Sequence, residues 1–565
     1  MAERRLALTI KGGVSLGAYE AGAIAETLRL IAFNNTQTTN PGMIPWYVDC
    51  ACGASAGSMT SAMVVACLVR GDTSVLRNTW VTGVSLAMLA PDDSDMSDNN
   101  LLDAGALDSL ASQNLTCPTT ANRHPALRPA PSEVKLRLTL SRYAPDVDSE
   151  DTLNQTKLMF NEYQDSADFT VGIKQVAGST AIAVDISTSD VASWGYHNPN
   201  EALTGSDAWS ALVQTAIASG SFPFAFAPRD LRRWVRGGWM DRYFQDGGTF
   251  NNDPVGETIN IAHDIDWSGK PAAATYEDRE RRYMMIHVEP FTGASPETIP
   301  NAAITLDVNP LELIKRYFPA ILDESQNSSL RQLAVVNDKI VERSKFLGDL
   351  ANLVATGGVQ ALPPSILDAL AQYRQLGSKL AFLHTQMIPD LEQTDHAIFQ
   401  QVNGFSAAQK ASFTSLALAY DLAVNLADKV KVTPILIAPD LPLSGSGLYA
   451  FGGFFVSRMR ERDYAQGVYD AYQAWAAVAR TRGEFILDTN SPPAAPASAA
   501  ALFPSCEDEY KQGIDRLSDR VDAMIGALSK AVSGPGLKGD ATALVIRKTL
   551  DAIANHYLQQ ADTPP

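Results

Sequence analysis

Leu6 to Ile10 is a short apolar run followed, after Lys11, by a pair of glycines. After it comes an alanine-rich stretch, from Ala18 to about Ala32, whose apolar residues recur at helical spacing. The same order repeats at once: an apolar segment at Val48–Cys52, a second glycine turn, and a helical pattern through about Arg70. Two consecutive strand, turn, helix units predict a parallel sheet covered by helices. Further strands are expected at Lys135–Leu140, Phe169–Ile173 and Tyr283–Val288, with a helix from Asp207 to about Ser219. From about Pro310 to Val430 the pattern is almost wholly helical, with a break at Gly357-Gly358. Val432–Ile437 returns to a strand pattern, a helix is expected near Tyr464–Val478, and Ser491 to Pro504 has the composition of a linker. The chain therefore divides into an α/β unit (1–305), a helical insertion or cap (306–430), a return to the α/β unit (431–490), a linker (491–504) and a helical tail (505–565).

A chain of 565 residues exceeds the size at which one core stops growing, so more than one structural unit is expected. Lysine and arginine number 45 against 63 aspartates and glutamates. The resulting net charge of -18 argues against nucleic acid and against simple electrostatic anchoring on an anionic membrane. Leu6–Ile10 is too short for the core of a signal peptide, and the run around Ala62–Val69 is far short of a membrane span. The expected location is the cytoplasm, with at most a transient, local contact with a membrane surface. Cys50, Cys52, Cys67, Cys117 and Cys506 suggest neither a disulfide framework nor a zinc site and read as reduced thiols. No metal or cofactor is expected, and the oligomeric state is left open.

Three segments carry chemistry: KGGVSLGAYEAG (Lys11–Gly22), GASAGS (Gly53–Ser58) and DGG (Asp246–Gly248). Gly53-Ala54-Ser55-Ala56-Gly57 follows a predicted strand and opens a predicted helix, the setting of a nucleophile elbow. There a serine on a tight turn exposes its hydroxyl, and Gly53 and Gly57 let strand and helix approach. A second match, Gly13 to Gly17, centres on Ser15, but adjacent glycines suit a loop that offers backbone amides to an oxyanion. Gly12, Gly13 and Val14 are the expected donors. A serine hydroxyl needs a base. Asp246 ends an apolar stretch at a glycine turn, and an apolar pocket around it would raise its pKa toward the useful range. Phe222, Phe224 and Phe226 in SFPFAFAP are candidates to line an acyl pocket.

A glycine-rich loop, then G-x-S-x-G, then a distant D-G-G resembles the patatin-like phospholipase family. ASGSFPFAF before the aspartate and Asn252 and Pro254 after it also fit the family pattern. FGGFFVSRMRERDYAQGVYDAY (Phe451–Tyr472) resembles the end of the longer bacterial patatin-related proteins. The resemblance implies a three-layer α/β fold and lipid acyl ester hydrolysis by a Ser-Asp dyad, with Ser55 as nucleophile and Asp246 as base. It also implies a lipid or acyl-ester substrate, phospholipid first. Val14 and Leu16 depart from the family loop, which has a third glycine and a basic residue at those places. Two alternatives remain at this stage: a Ser-His-Asp esterase recruiting His287, and a catalytically silent scaffold of the same fold.

Other polar features have plainer readings. Arg229, Arg232, Arg233, Arg236 and Arg242 are read as ion-paired or solvated in preference to a headgroup site. Pro91–Asn100 is read as a solvated acidic loop, since Asp98 stands where a calcium loop needs glycine. His287 is read as a satisfied core histidine.

Overall fold

A computed structural model describes residues 3–90, 100–118, 127, 132–151, 157–175, 182–188, 203–223, 225–235, 238–267, 284–291, 310–427, 429, 432, 434–446 and 450–532. One mixed sheet of ten strands organises the α/β part. The strands are β1 (Arg4–Ile10), β2 (Trp46–Gly53), β3 (Ser132–Asp151), β4 (Lys157–Gln175), β5 (Ile182–Thr188), β6 (Leu203–Thr204), β7 (Arg229–Val235), β8 (Gly238–Asp246), β9 (Met284–Val288) and β10 (Ile435–Ile437). They run in the order β10-β9-β1-β2-β3-β4-β5-β6, with β8 pairing with both β3 and β7. The half from β10 to β3 is parallel, while the pairs among β3, β4, β5, β6, β7 and β8 are antiparallel.

The parallel strands are apolar on both faces, as strands covered on both sides must be. Leu6, Leu8 and Ile10 of β1 join the main core, which includes the helices Gly17–Thr36, Ala56–Arg70 and Gly205–Ser219. Ala7, Cys50 and Cys52 point the other way, onto Ile261 and Ala262 of the helix Val255–Trp267. Helix, sheet and helix thus make three layers. All five cysteines are free thiols. No helix among the described residues is long and apolar enough to cross a membrane.

The antiparallel half shows where pattern reading fell short. β7, with the sequence RDLRRWV, was not expected, nor were β5 and β6. An antiparallel strand can leave one face to polar groups, which dilutes the apolar run that marks a buried strand. The return strand is also shorter than expected, at Ile435–Ile437, but it pairs in parallel with β9. Part of the supposed linker is structured: Ala499–Leu502 forms a helical turn capped by Ser498, and Phe503 packs against Tyr510 at 5.4 Å. The apolar Ala-Leu-Phe content of that stretch, buried against Val456 and Met459, outweighs its prolines.

The helical stretch contains Pro310–Ala355, Pro364–Tyr373, Leu380–Thr394, His396–Asn403 and Ala407–Val424. These helices have a core of their own, built on Leu347, Leu350, Leu367, Phe413, Leu418 and Leu422. Leu330 and Leu333 tie it back to Val255, Met285 and Val432. Asn337 exchanges two hydrogen bonds with the backbone of Val432, at 3.0 and 3.2 Å.

The helix Ser457–Thr481 lies directly on Gly17–Thr36, and glycines permit the contact. A Cβ on Gly22 would stand 2.0 Å from the Tyr464 carbonyl oxygen, and one on Gly467 would stand 2.1 Å from that of Tyr19. Trp475 beside this crossing is fully buried, stacks on Phe485 at 4.6 Å and donates from Nε1 to Thr27 Oγ1 at 3.2 Å. Gly467→Ala should therefore cost about 1–3 kcal/mol through overpacking, seen as a lowered thermal midpoint. Gly483→Ala, where an added methyl meets nothing within 4 Å, should change it little. Equal midpoints for both variants would contradict this close crossing.

Candidate active site

Three loop ends meet at the carboxyl edge of the parallel strands, the usual place for a site in an open α/β sheet. β1 runs into Lys11-Gly12-Gly13, and β2 runs into Ser55. β8 brings Asp246 opposite Leu140 of β3.

Ser55 has φ 52° and ψ -125°, a conformation that costs a non-glycine residue roughly 1–3 kcal/mol and needs support from its surroundings. Its N–H donates to Ser219 Oγ at 3.1 Å. The Ser219 hydroxyl donates to Ser58 Oγ at 2.8 Å, and Ser58 donates to the Gly53 carbonyl at 2.7 Å. Gly57 lies so near β1 that a Cβ there would stand 2.2 Å from the Ile10 carbonyl oxygen. The turn is thus fixed from both sides.

Ser55 Oγ donates to Asp246 Oδ2 at 2.6 Å, and the Gly248 N–H donates to Asp246 Oδ1 at 2.6 Å. The Asp246 N–H bonds to the Ser221 carbonyl and the Gly247 N–H to the Ser219 carbonyl, at 3.0 and 3.1 Å. Residues 219–221 therefore hold both partners of the pair. Asp246 is 2% exposed, and removal from water pushes its carboxyl up to about 7, against the lowering effect of the bonds from Ser55 and Gly248.

The glycine-rich loop differs in one respect from expectation. The Gly12 N–H donates to the Asn252 carbonyl at 3.1 Å, and Asn252 Nδ2 returns a bond to the Gly12 carbonyl at 3.2 Å. Gly12 is therefore a poor oxyanion donor: its amide already braces the loop against the segment after Asp246. Gly13 and Val14 follow it, and Val14 takes φ 53° despite its branched side chain. Ser15 is turned away, accepting from the Gly453 N–H at 3.1 Å and donating to the Ala450 carbonyl.

An apolar pocket opens beside Ser55, with Val14, Met59, Met63, Trp80, Phe222 and Phe454 among its lining. Phe226 also lines it, while Phe224 lies outside the described residues. Sequence reading missed the methionines, Trp80 and Phe454. Helical periodicity marks Met59 and Met63 only as core residues, and Phe454 lies 399 positions after Ser55 in the chain. Arg460 organises that wall, because its buried guanidinium donates to the carbonyls of Val81, Gly453 and Phe454.

The remaining candidates fall elsewhere. Arg229 pairs with Asp108 at 2.8 Å and bonds to the Ala104 carbonyl. The side chains of Arg233 and Arg236, and residues 91–99, lie outside the described residues. His287 sits beside Asp253, at 3.1 Å, and makes no hydrogen bond with Ser55 or Asp246. It lacks the satisfied environment expected of it, since its Nε2 has no hydrogen-bond partner.

Residues 8–259 match the family model described as Patatin-like phospholipase. These residues are thus similar to the patatin-like phospholipase family, whose members act as lipid acyl hydrolases. The match holds Ser55, Asp246 and the glycine-rich loop. No curated protein matches the chain closely enough to narrow this further.

A carboxyl raised to about 7 makes a prediction about stability. Its folded-state pKa lies above the unfolded value, so its contribution is favourable at low pH and is lost as pH rises through about 7. Asp246→Asn removes that penalty. Relative to wild type, the variant should gain stability as pH rises from about 4 to about 7, by on the order of 4 kcal/mol at most, and no further above that. Thermal midpoints across that range test it, and a difference independent of pH would count against a raised carboxyl.

Proposed function

We propose that this protein is a serine acyl hydrolase that cleaves acyl esters of lipids, phospholipids foremost, through Ser55 and Asp246. The observation that carries this reading is the 2.6 Å contact between Ser55 Oγ and Asp246 Oδ2, with no imidazole between them. Asp246 Oδ2 takes the hydroxyl proton as Ser55 Oγ attacks the ester carbonyl carbon. The carbonyl oxygen becomes an oxyanion facing the amides of Gly13 and Val14. As the tetrahedral intermediate collapses, the C–O bond to the leaving alcohol breaks and Asp246 returns the proton to that alcohol. Water then gives its proton to Asp246 and attacks the acyl-serine. The carboxylic acid leaves, and the proton returns to Ser55. The apolar pocket beside Ser55 would take the acyl chain.

No cofactor enters this sequence. Residues 306–430 are read as an inserted helical body that governs access to the site, with chemistry confined to the α/β part and contact with a lipid surface transient. A Ser-His-Asp triad is less well supported. Both oxygens of Asp246 are occupied by Ser55 and Gly248, and His287 faces Asp253.

On a short soluble ester, Ser55→Ala and Asp246→Asn should each lower kcat/KM by about 10⁴-fold or more. Wild-type kcat/KM should rise with pH through a single deprotonation near 7, the range to which burial lifts Asp246. A fluorophosphonate should attach to Ser55 and to no other serine. Labelling at Ser15, or an Asp246→Asn variant with near-normal turnover, would sink the dyad. Absence of any labelling or hydrolysis in folded wild type would favour a silent scaffold.

A further inference from the structure

Behind the glycine-rich loop, three donors converge: Asp253 on the turn before the helix Val255–Trp267, His287 on β9, and Glu289 just past its end. One ligand atom from each lies within 4.8 Å of the others. The Asp253 side chain is 0% exposed and that of His287 is 3% exposed. Neither Asp253 oxygen nor His287 Nε2 has a hydrogen-bond partner. A buried carboxylate with both oxygens unsatisfied is among the costliest arrangements in a protein interior and requires an explanation.

The geometry of the pair is informative. His287 Nε2 and Asp253 Oδ1 are 3.1 Å apart, close enough for a hydrogen bond, yet they do not form one. Their orientation suits two groups directed at a shared third atom. With metal–ligand bonds of about 2.0–2.2 Å, a separation of 3.1 Å subtends roughly 90–100° at a metal ion, within the range of octahedral or distorted tetrahedral coordination. From this we propose a binding site for a first-row divalent cation, of the Zn²⁺ or Mn²⁺ kind, held by His287 Nε2, Asp253 and Glu289. One imidazole and two carboxylates form a donor set for such ions, and the imidazole makes calcium a poor fit.

Glu289 is already engaged. Its Oε2 accepts from Lys11 Nζ at 2.6 Å and its Oε1 from the Phe291 N–H at 3.0 Å. Each carboxylate oxygen keeps a further lone pair. Ligands on one ion can be at most about 4.2 Å apart, so donors that all lie within 4.8 Å of one another need close by no more than a few tenths of an ångström. Lys11, Asp253 and Glu289 together carry one net negative charge, so a divalent cation leaves the buried group with one net positive charge. The site sits next to the loop: Lys11 immediately precedes Gly12, and Asn252, which brackets Gly12 with two hydrogen bonds, immediately precedes Asp253. A bound ion would cross-link the two segments that hold the glycine-rich loop. Its role is to position the loop, without contact with the ester.

The test uses full-length protein stripped with EDTA, dialysed against Zn²⁺ or Mn²⁺ and passed through a desalting column before metal analysis. Wild type and Ser55→Ala should each retain one equivalent of one of the two metals. Asp253→Asn and His287→Gln should each bind it at least tenfold more weakly. Co²⁺ substitution provides a spectroscopic check, with visible ligand-field bands in wild type that change in His287→Gln. If Asp253→Asn fails to fold, Glu289→Gln takes its place. The proposal is overturned if stripped wild type retains neither metal. Retention equal in wild type and His287→Gln overturns it as well. Because Ser55→Ala binds metal without turning over, failure of the dyad and failure of the metal site are separately visible.

Discussion

A hydroxyl and a carboxylate 2.6 Å apart, both withdrawn from water, form the contact on which the rest of the site depends. In water a carboxylate with a pKa near 3.9 is a feeble base toward an alcohol. Burial changes that by making the charged form expensive, and the cost is borne by the fold. Ser55 adds a second cost, a backbone conformation disfavoured for any residue with a side chain. Both are met by the same short segment, in which Ser219 accepts from the Ser55 amide while the carbonyls of Ser219 and Ser221 hold Gly247 and Asp246. Strain and desolvation are therefore localised where strand ends and loops are most heavily cross-linked.

The surrounding wall is assembled from distant parts of the chain. Phe454 enters the pocket from beyond the helical stretch, fixed by the buried guanidinium of Arg460, which also bonds to the Val81 carbonyl. Ser15, within the glycine-rich loop, ties that loop to Ala450 and Gly453. The crossing of Gly22 and Gly467 presses the helix Ser457–Thr481 onto the first helix of the sheet domain. The C-terminal segment is thus part of the apparatus that shapes the pocket, although it lies outside residues 8–259.

Much of the fold and site was legible in the residues. Alternating strand, glycine turn and helix marked the parallel half of the sheet, because strands buried on both faces are continuously apolar and their turns demand glycine. Ser55 was distinguished from Ser15 by its place between strand and helix, and the DGG turn marked Asp246. β5, β6 and β7 were not legible, since strands with a polar face lack the apolar run. Gly12 was expected to donate to an oxyanion, and nothing local to it could reveal that Asn252, 240 positions later, takes its amide.

The sequence by itself determined the local requirements: which turns need glycine, which serine stands at a strand-to-helix junction, and which aspartate ends an apolar stretch. These depend on neighbours in the chain and on backbone sterics, which pattern reads directly. Only the tertiary structure decided the 2.6 Å pairing of Ser55 with Asp246, the rise of that carboxyl to about 7, and the placing of His287 beside Asp253, away from both. Electrostatic environment depends on what surrounds a group in space. For Asp246 that surrounding includes Ser55, 191 positions away, and the segment Ser219–Ser221, brought together only when the sheet and its helices close.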